Sequence, residues 1–260
     1  MEVIILPSPE EASKVAARLV ARVVRDKPTA VLGLATGSTP LRLYRELIAL
    51  HQADQLDFSK TSTFNLDEYV GLATDRPQSY AHFMQENLFN HVNIPPDQTH
   101  IPDGMAANVP GHCAEYERAI QKAGGIDLQV LGIGSDGHIG FNEPVSSLSS
   151  RTRIKTLTRR TRADNAPYFG SEDAVPHHVI TMGIGTIMES RGILLMAFGE
   201  KKADAIAKTV EGPLTALVPG SALQMHVNAK VIIDEAAASK LTRTDYYKWV
   251  YDNKPDWQKF

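Results

Sequence analysis

The stretch AVLGLATGSTPLRLYRELIAL, residues 30–50, runs from an apolar segment through a short loop into a helix-like segment. Residues 30–35 predict a strand, and residues 41–50 carry apolar side chains at the three-to-four spacing of an amphipathic helix. The intervening TGSTP, rich in glycine and hydroxyl residues, is typical of a loop. This part of the chain therefore predicts a β-strand followed by an α-helix.

The same pattern extends along the rest of the chain. A helix through about Arg25 should follow the first strand, because Ser8-Pro9-Glu10-Glu11 supplies an N-cap, a proline at the first helical position and an acid three residues after the cap. Alternation of apolar strands with helices predicts one α/β domain over residues 1–260, with a mostly parallel sheet and helices on both faces. Further strands are expected at residues 3–6, 61–66, 128–133, 179–182, 193–198 and 230–233, and a further helix at 201–210.

Composition excludes several classes of protein. The formal net charge is -3 at pH 7, without an acidic tail or a globally basic surface, so nucleic acid is not the expected partner. Cys113 is the only cysteine and rules out an intramolecular disulfide. We expect no secretory signal, because MEVIILPSPEE at residues 1–11 lacks the basic region and long apolar core of one. No apolar run approaches the ~20 residues that span a membrane. We therefore expect a soluble cytoplasmic protein without membrane attachment.

Two loops that follow strands suit an anion. Ligands of open α/β sheets bind beyond the carboxyl ends of the strands, and free N–H groups at a helix start attract phosphate. The first loop, ATGSTP at residues 35–40, resembles neither a P-loop nor a dinucleotide fingerprint, and a plain turn with hydroxyl caps remains open as its alternative. The second loop, GEKK at residues 199–202, ends at Lys202, and solvated lysines are its alternative. The candidate phosphate-binding residues are Thr36, Gly37, Ser38, Thr39 and Lys202.

The segment TFNLDEYVGL, residues 63–72, places Asp67 and Glu68 at the end of a strand. Neighbours in a strand point to opposite sides, so one acid can face a ligand while the other is held elsewhere. An acidic turn is the alternative. Apolar and aromatic neighbours favour a carboxylate that accepts protons near neutral pH.

The segment LGIGSDGHIGFNEP, residues 131–144, combines Asp136, His138 and Glu143 with glycines. Imidazole transfers protons well at physiological pH, and a neighbouring carboxylate fixes its tautomer. No zinc-ligand spacing and no GxSxG nucleophile elbow are present, so we expect neither a metal site nor a serine hydrolase. A histidine that only caps a turn stays open at this point.

Four blocks in order, LGLATGSTP, FNLDEYVGL, LGIGSDGHIGFNEP and SRTRIKTL, resemble glucosamine-6-phosphate deaminases along nearly the whole chain. The resemblance implies a Rossmann-like α/β fold. It also implies a role in amino-sugar catabolism, with conversion of glucosamine 6-phosphate and water into fructose 6-phosphate and ammonia. No organic cofactor is implied.

The resemblance also implies roles for single residues. Asp67 matches the base that moves a proton between C2 and C1, and His138 matches the residue that opens the sugar ring. Asp136 and Glu143 match the acids that support this histidine. The two anion loops, with Lys202, match the residues that hold the substrate phosphate.

The chain departs from this family at Asn165-Ala166-Pro167-Tyr168-Phe169, where relatives usually carry an arginine on the substrate phosphate at the third position. Proline has no side-chain group that binds phosphate. Three explanations are open: Arg162 compensates, affinity is weak, or the preferred substrate differs.

The basic segment at residues 151–162 allows three interpretations. One is an exposed edge strand whose charges prevent pairing, and another is nucleic-acid binding, which the lack of interleaved aromatic residues disfavours. The resemblance implies a third, an allosteric site for N-acetylglucosamine 6-phosphate in a homo-oligomer such as a hexamer. The matching residues are Ser146, Ser147, Arg153, Lys155, Thr156, Tyr116 and Tyr246.

Two rival functions remain. A 6-phosphogluconolactonase shares the fold, the phosphate loop and a GIGxDGH-like segment, but usually continues with residues resembling SLFP where this chain has FNEP at 141–144. A sugar-phosphate sensor would carry a DNA-reading helix-turn-helix, for which the strand expected from residue 3 leaves no room. The sequence also leaves open a deaminase of a C4 epimer such as galactosamine 6-phosphate.

Overall fold

A central sheet of seven parallel strands organises the computed structural model, which describes residues 1–258. The strands pair in continuous register, so that Ile4 lies beside Ile232 and Ile232 beside Met196. The predicted parallel sheet is therefore confirmed. In sheet order the strands are β1 (Glu2–Leu6), β10 (Ala229–Asp234), β9 (Ile193–Ala197), β6 (Leu128–Leu131), β2 (Val31–Leu34), β3 (Ser62–Asn65) and β5 (Thr99–His100).

Helices cover both faces of this sheet. Successive strand residues alternate between two apolar cores, as Val3 and Ile5 belong to one core and Ile4 to the other. Short 3₁₀ helices, including Glu200–Lys202, complete several loops. The α-helices are α1 (Pro9–Asp26), α2 (Leu41–Gln52), α3 (Tyr80–Asn87), α4 (Val109–Lys122), α5 (Arg159–Phe169), α6 (Ile184–Met188), α7 (Ala203–Val210) and α8 (Thr244–Asp252).

Local chemistry explains where these helices begin. The Ser8 hydroxyl accepts a hydrogen bond from the Glu11 N–H at 3.2 Å, and Pro9 occupies the first helical position of α1. This start is the one that the sequence predicts. In the part of the chain that the structure describes, no helix is both long and apolar enough to cross a membrane.

A second, antiparallel sheet contains β4 (Asp67–Tyr69), β8 (His178–Thr181) and β7 (Arg153–Thr156), with β8 in the middle. The strand expected at 179–182 is therefore present, and it belongs to this small antiparallel sheet and not to the parallel one. Apolar alternation identifies a strand and does not specify its partners. Strand β7 lies at the edge of this sheet with alternate residues exposed.

The order of the parallel strands places a switch point between β2 and β6. From β2 the chain moves outward through β3 to β5, and from β6 it moves the opposite way through β9 to β10. Loops that leave β2 and β6 therefore diverge from neighbouring strand ends. Such a crevice is where open α/β sheets bind ligands.

Candidate active site

One pocket lies at this switch point, with a volume of about 250 Å³. The loops after β2, β3, β6 and β9 contribute to it, together with one side of α5. Of the residues singled out in the sequence, it brings together Thr36, Gly37, Ser38, Thr39, Lys202, Asp67 and His138.

The anion-binding end of the pocket is built by the loop after β2. Gly37 has a φ of +89°, a left-handed conformation that glycine adopts without strain. The residue before α2, Pro40, makes no side-chain cap, so no capping side chain satisfies the free N–H groups of the first turn. Free N–H groups and the helix dipole favour a negatively charged ligand here.

Lys202 supplies positive charge from the loop after β9. Its ammonium group donates a hydrogen bond to the Ile133 carbonyl at 2.7 Å, which fixes it beside the loop after β6. Burial lowers the pKa of Lys202, while the nearby Asp164 and Asp136 act in the opposite direction. The structure thus sets one cation beside the anion-binding loop.

Asp67 and Glu68 point to opposite sides of β4, as the geometry of a strand requires. Asp67 lines the pocket. Glu68 is fully buried and accepts hydrogen bonds from the Ser79 hydroxyl at 2.7 Å and from the N–H groups of Tyr69, Tyr80 and Ala81 at 2.8, 3.1 and 3.0 Å. Glu68 therefore stabilises the start of α3.

The carboxyl group of Asp67 is poised to gain and lose a proton. Burial, with a further contribution from the negative charge of Glu68, raises the pKa of Asp67 to about 8. Among residues 1–258 no donor hydrogen-bonds this carboxyl group, so none of these residues compensates the cost of its ionised form by a hydrogen bond. A carboxyl group in this state can act as a proton acceptor near neutral pH.

His138 and Asp136 form a pair on the loop after β6. The ring Nδ1 lies 2.7 Å from Asp136 Oδ1, and the His138 N–H donates to the same oxygen at 3.1 Å. Burial acts to raise the pKa of Asp136, but these contacts with His138 outweigh it and lower the pKa to about 2. Asp136 is therefore ionised and holds the imidazole with its other nitrogen free for proton transfer.

Gly134 explains part of the glycine richness of this loop. A Cβ atom at this position would lie 2.2 Å from the nearest carbon of the His138 ring. No side chain fits between the loop backbone and the imidazole. The glycine therefore lets the ring pack flat against the loop.

The sequence predicts that Glu143 supports His138, but the structure places its carboxylate away from the imidazole. Its buried carboxylate accepts hydrogen bonds from the Thr158 N–H at 3.0 Å and from the Thr158 hydroxyl at 3.1 Å. Thr158 is the N-cap of α5. Glu143 therefore joins the histidine loop to α5, and of the two acids expected beside His138 it is Asp136 that contacts the ring.

One wall of the pocket has no side chain among the predicted site residues, although the resemblance points to the segment 165–169 within it. Helix α5 contributes four residues, and α3 contributes Tyr80. Helix α5 is polar on most sides, so no apolar pattern marks which of its faces packs inward. The missed residues of this wall are Thr161, Asp164, Asn165 and Tyr168.

Arg162 does not compensate for the absent arginine at position 167. Its side chain is buried, and its guanidinium donates to the backbone carbonyls of Glu172 at 2.6 Å and Val175 at 3.2 Å. Pro167 itself is exposed within α5. The explanation that invokes Arg162 is therefore wrong, because its donors are used inside the protein.

The candidate allosteric residues do not form one cluster within a single chain. Arg153, Lys155 and Thr156 lie on β7, which packs on α4, whereas Tyr246 lies exposed on α8, which packs on β1. Ser147 lies on the exposed surface and Ser146 is buried.

Tyr116 is part of the core. It is 5% exposed, packs edge-on against Phe64, and donates its hydroxyl to the Asn65 carbonyl at 2.7 Å. This corrects the expectation that Tyr116 contacts an effector, since its polar atom is already bonded inside the protein.

Comparison with known proteins agrees with this geometry. The family model for glucosamine-6-phosphate isomerases and 6-phosphogluconolactonases matches residues 8–232. The chain belongs to this family. A glucosamine-6-phosphate deaminase of Arthrobacter sp. (strain FB24) is 54% identical over 258 residues, which is 99% of each chain.

Two solved structures of named enzymes have folds similar to that of this chain. A monomeric glucosamine-6-phosphate deaminase is 47% identical, with a TM-score of 0.91; the match covers 92% of the present chain and 100% of the deaminase chain. A 6-phosphogluconolactonase from Trypanosoma cruzi is 21% identical, with a TM-score of 0.73 over 93% of this chain and 97% of that one. At that identity the lactonase shows a shared fold, while the deaminases match in sequence as well.

Proposed function

We propose that this pocket converts glucosamine 6-phosphate and water into fructose 6-phosphate and ammonia, with His138 and Asp67 as its two proton-transfer groups. The observation that carries the proposal is that a paired imidazole and a carboxyl group with a raised pKa line the same pocket beside an anion-binding loop. The deaminase relatives support the choice of substrate.

Binding begins at the phosphate in this proposal. The loop of Thr36, Gly37, Ser38 and Thr39 and the Lys202 ammonium group hold the phosphate, while the sugar carbons extend toward the far side of the pocket. Phosphate binding provides energy remote from the reacting carbons and orients them.

Ring opening is assigned to His138. The imidazole takes the proton of the C1 hydroxyl and returns a proton to the ring oxygen as the bond between C1 and that oxygen breaks. The ionised Asp136 stabilises the imidazolium that exists between these two transfers. The product is the open-chain aldehyde, which acidifies the C–H bond at C2.

Isomerisation and deamination are assigned to Asp67. The positive charge of the substrate's C2 ammonium group favours the ionised form of this carboxyl group. Asp67 then takes the C2 proton while the carbonyl oxygen at C1 gains a proton that the C2 ammonium group loses, which gives the enolamine. The Asp67 carboxyl group next delivers its proton to C1, which leaves an iminium group at C2. Addition of water to C2 and departure of ammonia give fructose 6-phosphate.

Ammonia release from glucosamine 6-phosphate by the purified protein tests this function. We expect ammonia and fructose 6-phosphate in equal amounts. Galactosamine 6-phosphate and 6-phosphogluconolactone serve as competing substrates in parallel assays. Hydrolysis of the lactone without release of ammonia would place the protein in the other branch of its family.

We further propose a homo-oligomer that N-acetylglucosamine 6-phosphate activates. The basic residues Arg153 and Lys155 at the edge strand β7 support an anionic effector. Because Tyr246 lies on a different part of the surface, a complete site requires a second subunit. A solved relative is monomeric, so light scattering together with kinetics in the presence of the effector is the decisive test. A monomer without activation contradicts this proposal.

The expected cytoplasmic location also stays a prediction. Fractionation of cells that produce the protein tests it, and recovery with membranes would contradict it.

A further inference from the structure

In the basic segment of residues 151–162, the preceding assignments leave two exposed arginines unexplained, Arg159 and Arg160. Arg151 is held by two glutamates, and Arg162 is held by two backbone carbonyls in the protein interior. Arg160, in the first turn of α5, is exposed and instead extends toward the pocket. Its Nη2 donates a hydrogen bond to the Ser135 hydroxyl at 3.0 Å.

Ser135 belongs to the pocket wall that also anchors Lys202. The Lys202 ammonium group is bonded to the carbonyl of Ile133, two residues before Ser135. The Cα atoms of two residues at this separation are at most about 7 Å apart. Arg160 and Lys202 are therefore anchored on neighbouring points of one loop. This loop borders the anion-binding loop, since a Cβ atom at Gly132 would lie 3.9 Å from the Thr39 side chain.

The positive charge of Lys202 alone does not balance the negative charge that this end of the pocket holds when a phosphate is bound. A phosphate monoester carries a charge of about -1.5 to -2 at pH 7. The carboxylate of Asp164 adds negative charge to the same wall, with one oxygen 3.4 Å from the Ser135 hydroxyl. A single ammonium group cannot neutralise both groups.

We infer that Arg160 is a second cationic binding residue for the substrate phosphate and moves from Ser135 to the phosphate when the sugar binds. This inference rests on the proposed function, since it adds a residue to the phosphate end of that site. A guanidinium suits the role because it donates two parallel hydrogen bonds to phosphate oxygens. Its exposed position makes the movement inexpensive, because only one hydrogen bond to a neutral hydroxyl is exchanged.

Replacement of Arg160 by alanine tests the inference against a matched control, Arg159→Ala. Arg159 precedes it on α5, is exposed, and carries the same charge. We expect Arg160→Ala to raise KM for glucosamine 6-phosphate roughly tenfold, as for loss of a hydrogen bond between charged groups, with little change in kcat. Arg160→Lys should fall between this variant and wild type, and Arg159→Ala should stay within about twofold of wild type.

Calorimetric binding of inorganic phosphate provides a readout without turnover. Arg160→Ala should weaken this binding, and Arg159→Ala should not. If both variants bind phosphate and substrate as the wild type does, or if both weaken binding equally, the inference is overturned. If the wild type releases no ammonia while the phosphate result holds, the proposed reaction fails and the binding role of Arg160 stands.

Discussion

Two carboxyl groups of one active site differ in environment, and the difference separates their roles. Asp67 is buried, no donor among residues 1–258 bonds it, and its pKa is raised to about 8, whereas the contacts of Asp136 with His138 lower the pKa of Asp136 to about 2. The first group can exchange a proton at neutral pH, and the second stays charged. Carboxyl groups whose pKa values are pushed apart in this way divide proton transfer from charge stabilisation.

The largest expected effect comes from Asp67→Asn. The amide keeps the size of the side chain but cannot accept the C2 proton, so kcat should fall on the order of 10³-fold or more. Inorganic phosphate should bind the variant as it binds the wild type, since the proposal assigns the phosphate to residues 36–39 and Lys202 and not to Asp67. Steady-state ammonia release and calorimetry measure the two quantities. A variant that keeps most of its turnover would show that another group is the base.

Asp136→Asn should have the next largest effect. The amide cannot stabilise the imidazolium form of His138 and can favour the wrong tautomer, so kcat should fall roughly a hundredfold. Asp164→Asn is the comparison, because it removes a carboxylate from the same pocket without a contact to His138. We expect that variant to change KM more than kcat. Equal losses of kcat in both variants would contradict the pairing of Asp136 with His138.

Glu68→Gln should shift the pH dependence of kcat/KM. Asp67 acts in its ionised form, so activity rises with pH through its pKa. Glu68 contributes to the raised pKa of Asp67, and removal of its charge lowers that pKa and moves the rise in activity to lower pH. Ser79→Ala is the control, since it removes one hydrogen bond to Glu68 and leaves the charge in place. A shift of the profile in the control and not in Glu68→Gln would refute the electrostatic explanation.

Pro167→Arg should have the smallest effect. The new guanidinium lies one residue from Tyr168, in the helix that forms a pocket wall, and should lower KM for glucosamine 6-phosphate by several-fold, a gain of about 1 kcal/mol. Removal of a proline from a helix also stabilises it, so Pro167→Ala separates this effect from that of the charge. An unchanged KM in Pro167→Arg would show that position 167 does not reach the phosphate.

The sequence predicts most of the scaffold because its strands and helices carry strong apolar periodicity. Residues 30–50 become β2 and α2, and the capped start at Ser8 becomes the start of α1. The sequence predicts β8 as a strand but not the sheet to which it belongs, since its apolar alternation is compatible with either set of partners. The switch point between β2 and β6 follows from strand order, which local patterns do not encode.

The candidate site is only partly readable from the sequence. The sequence identifies Asp67 and His138, because each combines a side chain that can transfer protons with a place just after a strand, where α/β folds bind ligands. Glu143 bonds Thr158 and Tyr116 lies in the core, which only tertiary packing determines. The wall from α5 has no apolar signature, so its Asp164 could not be expected.

Carboxyl-carbon NMR from about pH 2 to about pH 9 tests the central claim most directly. The variants Asp67→Asn and Asp136→Asn assign the two signals. The account predicts that Asp67 titrates near 8 and that Asp136 titrates near 2. Titration of both groups near the ordinary aspartate pKa of about 4 would contradict it.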